Sequence, residues 1–237
     1  MKFILKYKIK LIKYNFIYCL YKIIMQYISV DGNIGGGKST LLAELKQIWA
    51  GKQIVFVREP VDEWEKIKDE NGTNILEKFY NDQEKYSFSF QMVAFISRLK
   101  LLKEAVENNP NSIIITERSL YTDKMVFAKM LYNSNKIEHI NYMIYLNWFE
   151  TFSNNYPLNK IIYIKTDPEV CLSRIEKRSR KGENNIPLSY LTDCDKYHDE
   201  MINNLSVEKL ILDGNVDIYN EKDILKEWIN KIKTFIN

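Results

Sequence analysis

The run Gly32-Asn33-Ile34-Gly35-Gly36-Gly37-Lys38-Ser39 fits G-x-x-x-x-G-K-[ST] without a mismatch, and Thr40 continues it. This pattern constrains the fold because it works only between a strand and a helix. Both are legible. Gln26-Tyr27-Ile28-Ser29-Val30 reads as a short buried strand, and Ser39 onward carries Leu41, Leu42 and Leu45 at helical spacing. The glycines let backbone N–H groups curl inward around a phosphate chain, where the helix N-terminus adds partial positive charge. Lys38 is expected to reach the terminal phosphates and the Ser39 hydroxyl to hold Mg²⁺. The segment therefore predicts nucleoside triphosphate binding.

The remaining chain supplies the sheet such a loop needs. Apolar runs at 54–57, 112–116, 160–164 and 209–212 are short and apolar on both faces, as parallel strands covered by helices should be. Helical patterns lie between them, over 87–108, 121–131, 137–152 and 168–180. Five strands with helical crossovers predict a doubly wound α/β sheet of the P-loop type, with helices on both faces. At 237 residues the chain has room for one such domain, expected to run from 26 to 237.

Composition narrows the partners. The net charge of +3 is too small to argue for nucleic acid, since basic residues cluster only near the N-terminus and near position 180. Cys19, Cys171 and Cys194 are far apart and odd in number, which reads as free thiols in a reducing compartment. Residues 1–25 form a basic extension: six lysines stand among Ile, Leu, Phe and Tyr, with no acid before Asp31. Its apolar runs are too short to span a bilayer. The simplest expectation is that translation starts at Met25 and the extension is dispensable. A membrane-lying amphipathic helix or an organelle presequence is the alternative, though neither Arg nor Ser occurs there.

Ligands in open α/β sheets bind at the carboxyl ends of the strands. The second strand is followed by Arg58-Glu59-Pro60-Val61-Asp62-Glu63-Trp64 and the third by Glu117-Arg118-Ser119. Glu59 is placed to accept a proton from an attacking hydroxyl, and Glu117 to hold the metal directly or through water. The competing structural readings are that Glu59 precedes a helix-starting proline and that Glu117 caps the next helix. Two carboxylates at strand ends beside one phosphate loop favour the chemical reading.

Taken with Arg174, Arg178 and Arg180, these motifs resemble the deoxynucleoside kinase family, in the branch of deoxycytidine, deoxyguanosine and deoxyadenosine kinases. The resemblance implies transfer of the ATP γ-phosphoryl to a nucleoside 5′-hydroxyl, with Mg²⁺ and a homodimer. Under it Glu59 is the base, Arg118 orients that base and steadies the phosphoryl group, and Trp64 walls the nucleoside pocket. Tyr80 and Glu183 match the pair that holds the sugar 3′-hydroxyl. Gln91, Ala94 and Arg98 share one helical face, on which Gln91 matches the base-reading residue. Arg98 and Asp123 match the pair found where cytosine or purines are accepted over thymine. The basic cluster reads as a lid late in its helix, and Asp217 lies where the donor adenine would be touched. His139 and His198 show no partner pattern and read as structural.

Two other functions remain open on sequence. A thymidylate kinase-like nucleoside-monophosphate kinase also carries a phosphate loop, an Arg-Glu-Pro and an arginine lid, but Val61 and Glu117 depart from its pattern. A non-catalytic accessory subunit would keep the fold without turnover. Location is expected to be cytoplasmic, or mitochondrial if residues 1–25 are a presequence.

Overall fold

The computed structural model describes residues 26–180, 183, 186–218 and 220–237. The basic extension, with Cys19 and Met25, lies outside the described residues, as do Lys181 and Gly182 in the lid. Five strands, β1 (Gln26–Gly32), β2 (Ile54–Val57), β3 (Ile113–Glu117), β4 (Lys160–Lys165) and β5 (Glu208–Asp213), form one all-parallel sheet in the order β2-β3-β1-β4-β5. The chain leaves β1 for one edge, returns through β3, then crosses to β4 and β5. The carboxyl ends of β1 and β3 thus sit side by side where the strand order reverses, with Val30 in register with Glu117.

Alternation along the central strands divides the core in two. Tyr27, Ile114, Ile161 and Tyr163 point to one face, against Phe95 and Leu102 of α4 (Gln83–Asn108), Tyr145 and Phe149 of α7 (His139–Ser153), and Met201 of α9 (Leu188–Asn204). Ile28, Val30, Ile115, Ile162 and Ile164 point to the other, against Leu41 and Leu45 of α1 (Lys38–Ile48) and Trp228 and Ile232 of α10 (Lys222–Ile236). Each buried side chain of this size contributes about 1.5–3 kcal/mol of transfer free energy. The sheet therefore stands between two apolar layers, which fixes the strand ends on which the site depends.

Three local expectations need correction. The edge strands are not apolar-buried on both faces: β2 is half-buried throughout, and Ile211 of β5 is 59% exposed. An edge strand lacks one neighbour, so the helices cover it incompletely. The helix expected at 121–131 begins at Leu120 and is not uniform. It runs as α5 (Leu120–Thr122), a π-helical segment over Asp123–Ala128, and α6 (Lys129–Asn133). Such wide turns are frequent at functional sites. The lid helix α8 (Pro168–Arg178) ends two residues early, at Ser179 with φ +49°, so Arg180 lies beyond it.

Candidate active site

The phosphate loop takes its shape from its glycines. Gly35 and Gly37 have φ of +77° and +92°, which L side chains rarely adopt. A Cβ on Gly32 would stand 2.6 Å from the Ile164 carbonyl oxygen, and one on Gly35 equally close to that of Cys171. The loop is thus pressed against β4 and α8 and leaves an open cradle at the N-terminus of α1. Asn33 closes it from below, its Nδ2 donating to the Leu191 carbonyl at 2.8 Å and its Oδ1 accepting from the Ile34 N–H. Lys38 folds back so that Nζ donates to the Asn33 carbonyl at 2.7 Å. Burial, reinforced by Arg118, pulls the Lys38 ammonium down to about 8. Among the described residues this buried cation bonds no carboxylate, which suits it to receive phosphate.

Ser39 Oγ donates to Glu117 Oε1 at 2.6 Å. A hydroxyl and a carboxylate side by side at the loop are hard oxygen donors of the kind Mg²⁺ prefers, with room left for phosphate and water. The helix behind β3 is capped by Ser119, whose Oγ accepts from the Thr122 N–H at 3.1 Å, so Glu117 is not needed as a cap.

A cavity of about 440 Å³ runs from this loop between α4, the π-helical segment and the lid. Its wall is a chain of buried charges. Arg98 Nε meets Asp123 Oδ2 at 2.9 Å, its Nη1 donates to the Glu117 carbonyl at 2.6 Å, and its Nη2 meets Glu59 Oε1 at 3.1 Å. Arg118 Nε approaches the same Glu59 oxygen at 3.2 Å. Burial alone would raise the Glu59 carboxyl, but Arg118, Arg98 and Lys38 outweigh it and hold it at about 2. Asp123 differs. Burial pushes its carboxyl up to about 6, Arg98 offsetting only part of the cost, and the group stays largely ionised at neutral pH.

The rest of the pocket is aromatic. Trp64, packed edge-to-face on Phe90, donates Nε1 to Ser97 Oγ at 2.9 Å and presents its ring to the cavity. Tyr80, Ala94 and Gln91 line the same space. Gln91 is 2% exposed and its Oε1 has no hydrogen-bond partner among the described residues, an arrangement that suits a ligand donor. At the lid, Arg178 Nη2 pairs with Glu183 Oε2, and Arg180 Nη1 meets the other Glu183 oxygen at 3.0 Å. Glu183 therefore faces two arginines, while its charge helps burial raise the Tyr80 phenol. Arg174 Nη2 donates to the Val216 carbonyl at 3.0 Å, next to Asp217. The loop there is tight, because a Cβ on Gly214 would overlap Thr166 Oγ1 at 2.0 Å.

Every residue expected from sequence to bind or react, from Gly32 to Thr40 and from Glu59 to Asp217, lines this cavity or its phosphate loop. Sequence reasoning missed three features. Asp31, fully buried, accepts from Ser29 Oγ at 2.5 Å and from Thr122 Oγ1, tying β1 to α5. Period-2 spacing of Ser29 and Asp31 was the available signal. Arg98 reaches Glu59 as well as Asp123, a contact between distant segments that no local pattern shows. His198, read as structural, stands against Arg118.

Comparison with known proteins agrees with this geometry. Residues 28–237 match the family model described as deoxynucleoside kinase. A deoxycytidine kinase of Homo sapiens is 32% identical over 240 residues, covering 89% of this chain and 90% of that protein. A deoxycytidine kinase of Bos taurus is 32% identical with the same coverage. A mitochondrial deoxyguanosine kinase of Xenopus laevis is 30% identical over 240 residues, covering 88% of this chain and 89% of its own.

Proposed function

The chain belongs to the deoxynucleoside kinase family and is a nucleoside kinase of the salvage type, and we propose that it moves the γ-phosphoryl group of ATP to the 5′-hydroxyl of deoxycytidine or a purine deoxynucleoside in preference to thymidine. The observation that carries this reading is Glu59, ionised and held by Arg98 and Arg118 within reach of the phosphate loop. The 5′-oxygen attacks phosphorus as its proton passes to Glu59, the bond to the β-phosphate oxygen breaks, and ADP leaves. A carboxylate near pKa 2 is a weak base, which suits a loose transition state in which positioning outweighs proton removal.

Gly32 to Thr40 cradle the phosphates, with Lys38 as the buried cation, and Arg174, Arg178, Arg180 and Asp217 border the donor. Ser39 and Glu117 would hold Mg²⁺, which when bound neutralises charge on the phosphate oxygens. At the acceptor end Trp64, Tyr80, Gln91, Ala94, Arg98, Asp123 and Glu183 take the nucleoside. Asp123 accepts from the exocyclic amine of cytosine or adenine and repels the carbonyl oxygen that thymine presents there. The double charge pairing at Glu183 supports a lid that exchanges a protein carboxylate for phosphate and frees Glu183 for the sugar.

A homodimer is part of the proposal. Ile140, Met143, Ile144 and Trp148 of α7 are exposed, and neighbouring α4 adds Ile96. An apolar face of that extent favours a second copy, and light scattering giving a monomer at micromolar concentration would reject it. The buried thiols Cys171 and Cys194 fit a reducing compartment such as the cytoplasm. Among the described residues no helix is long and apolar enough to cross a membrane. Residues 1–25 are proposed to be dispensable to the domain.

The test is a radiolabelled ATP assay against the four deoxynucleosides and dTMP, run with the full chain and with Glu59→Gln. Deoxycytidine or a purine deoxynucleoside should be phosphorylated, and Glu59→Gln should lose at least ~10²-fold in kcat. Activity on dTMP alone, or no turnover on any of the five acceptors, would overturn the proposed reaction.

A further inference from the structure

Arg118 is constrained from every side. Its backbone has φ +63°, an uncommon conformation for a residue with a side chain, of the kind retained where function requires it. Its N–H donates to the Val30 carbonyl at 2.9 Å. The guanidinium lies 4.8 Å over the Phe127 ring and is 3% exposed. Nε faces Glu59, while Nη1 donates to the Gly32 carbonyl at 2.8 Å and lies 3.3 Å from His198 Nε2.

The histidine contact has only one chemical sense. A guanidinium cannot accept a hydrogen bond, so His198 Nε2 must be the acceptor. On the other side of the ring, His198 Nδ1 stands 2.7 Å from the Cys194 carbonyl oxygen, which can only accept. Nδ1 therefore carries the proton and Nε2 the lone pair, two constraints that independently select the same neutral tautomer. The ring is fully buried, stacked at 14° on Tyr163 and edge-on to Phe127. Burial, with Arg118, Lys38 and Lys165 nearby, holds its imidazole well below the ordinary histidine range, so it is neutral throughout the working pH.

We infer that His198 is a positioning residue for the reaction: it receives one Nη1 proton of Arg118 and thereby fixes which edge of the guanidinium faces the substrates. With Nε on Glu59 and both Nη1 protons directed to Gly32 and His198, Nη2 is the nitrogen without a protein acceptor among the described residues. That edge remains for the transferring phosphoryl group. A histidine on α9 thus sets the aim of an arginine that follows β3. The inference rests on the reading of Arg118 given above.

The experiment uses the full chain with ATP and deoxycytidine. His198→Gln puts an amide oxygen close to the position of Nε2, whereas His198→Met fills similar space without a good acceptor. The methionine variant should lose ~10-fold or more in kcat, the scale of a hydrogen bond to a charged group, with nucleoside KM within about twofold. The glutamine variant should lose no more than about threefold. His198→Phe, which keeps the ring and removes the acceptor, should follow methionine. Each substitution is then repeated with Arg118→Lys, itself expected to lower kcat by ~10² or more. In that background the methionine penalty should shrink below about twofold, because the group through which His198 acts is gone. An undiminished penalty there, or glutamine falling as far as methionine, would overturn the positioning role. Arg118→Lys with near-normal kcat would instead overturn the reading of Arg118.

Discussion

Two sets of arginines border the same cavity, and they differ in what surrounds them. Arg98 and Arg118 in the wall are 4% and 3% exposed, and each bonds groups brought from separate strand ends. Arg178 and Arg180 in the lid have side chains about one-third exposed, and both pair with the single carboxylate of Glu183, only a few residues away. Breaking a buried pair costs about 3–5 kcal/mol because it strands a charge. In the lid the arginines reach solvent while Glu183 is buried, and losing one arginine still leaves that carboxylate the other, so less charge is stranded. The wall is therefore inseparable from the fold, and the lid can exchange partners at little cost. Under the proposed reading, recognition of the base and the aim of Arg118 are built where nothing should move, and the lid's contact with phosphate where something must.

The sharpest way to separate the two regions is to alter the wall in pairs. Arg98→Met with Asp123→Ala should move the kcat/KM ratio of thymidine to deoxycytidine by on the order of 10³, since it removes the carboxylate proposed to repel the thymine carbonyl. Arg98→Met alone should instead destabilise the protein by about 3–5 kcal/mol in chemical denaturation, leaving Asp123 without its partner. A single variant as stable as the double would end the claim that the wall is structural.

For the lid, a smaller effect and the opposite balance are expected. Arg178→Ala should lower kcat by ~10-fold through lost transition-state charge stabilisation, yet shift stability by less than ~1 kcal/mol. A variant that loses several kcal/mol would place Arg178 with the wall and abolish the contrast.

The smallest effect is a pH dependence confined to the wall. Asp123, faced by Arg98, Glu59 and Arg118, has its carboxyl raised to about 6. As pH falls through 6 it gains a proton and loses the charge that repels thymine, so preference against thymidine should weaken, by no more than about tenfold at pH 5. Its folded pKa lies above the ordinary aspartate value, so protonation favours the fold as pH falls from 6 toward 4. Glu59, held at about 2, has the opposite sign: its contribution is fully present above the ordinary glutamate range and is lost progressively as pH falls from that range to 2. Competition assays from pH 5 to 8 with deoxycytidine and thymidine check the first. An unchanging ratio would show that Asp123 does not set base choice.

How far these features were legible in the sequence depends on how local their causes are. The phosphate loop is a local backbone requirement, and glycine spacing reveals it. Parallel strands between two helical layers leave continuous apolar runs, so all five were visible, although β2 and β5 looked more buried than edge strands are. The pairing of Arg98 with Asp123 came from resemblance, because burial of a Gln and an Arg on one helical face runs against composition. The contact of Arg98 with Glu59, the buried Asp31 and the histidine behind Arg118 arise where distant segments meet. No window of sequence contains them. The π-helical segment is equally hidden, since one wider turn barely disturbs an apolar pattern.

The strand order has a consequence in time. Among the described strands β1 emerges first from the ribosome, yet its neighbours are β3, beginning at Ile113, and β4, beginning at Lys160. The loop that follows β1 leans on Ile164 and Cys171, and Arg118, which bonds the Gly32 carbonyl, and His198 behind it also come later than the loop. The phosphate cradle is thus written first and finished late. The whole stretch from Gln26 to Lys160 must be made before β1 can acquire both partners, and over that interval its apolar residues depend on other cover.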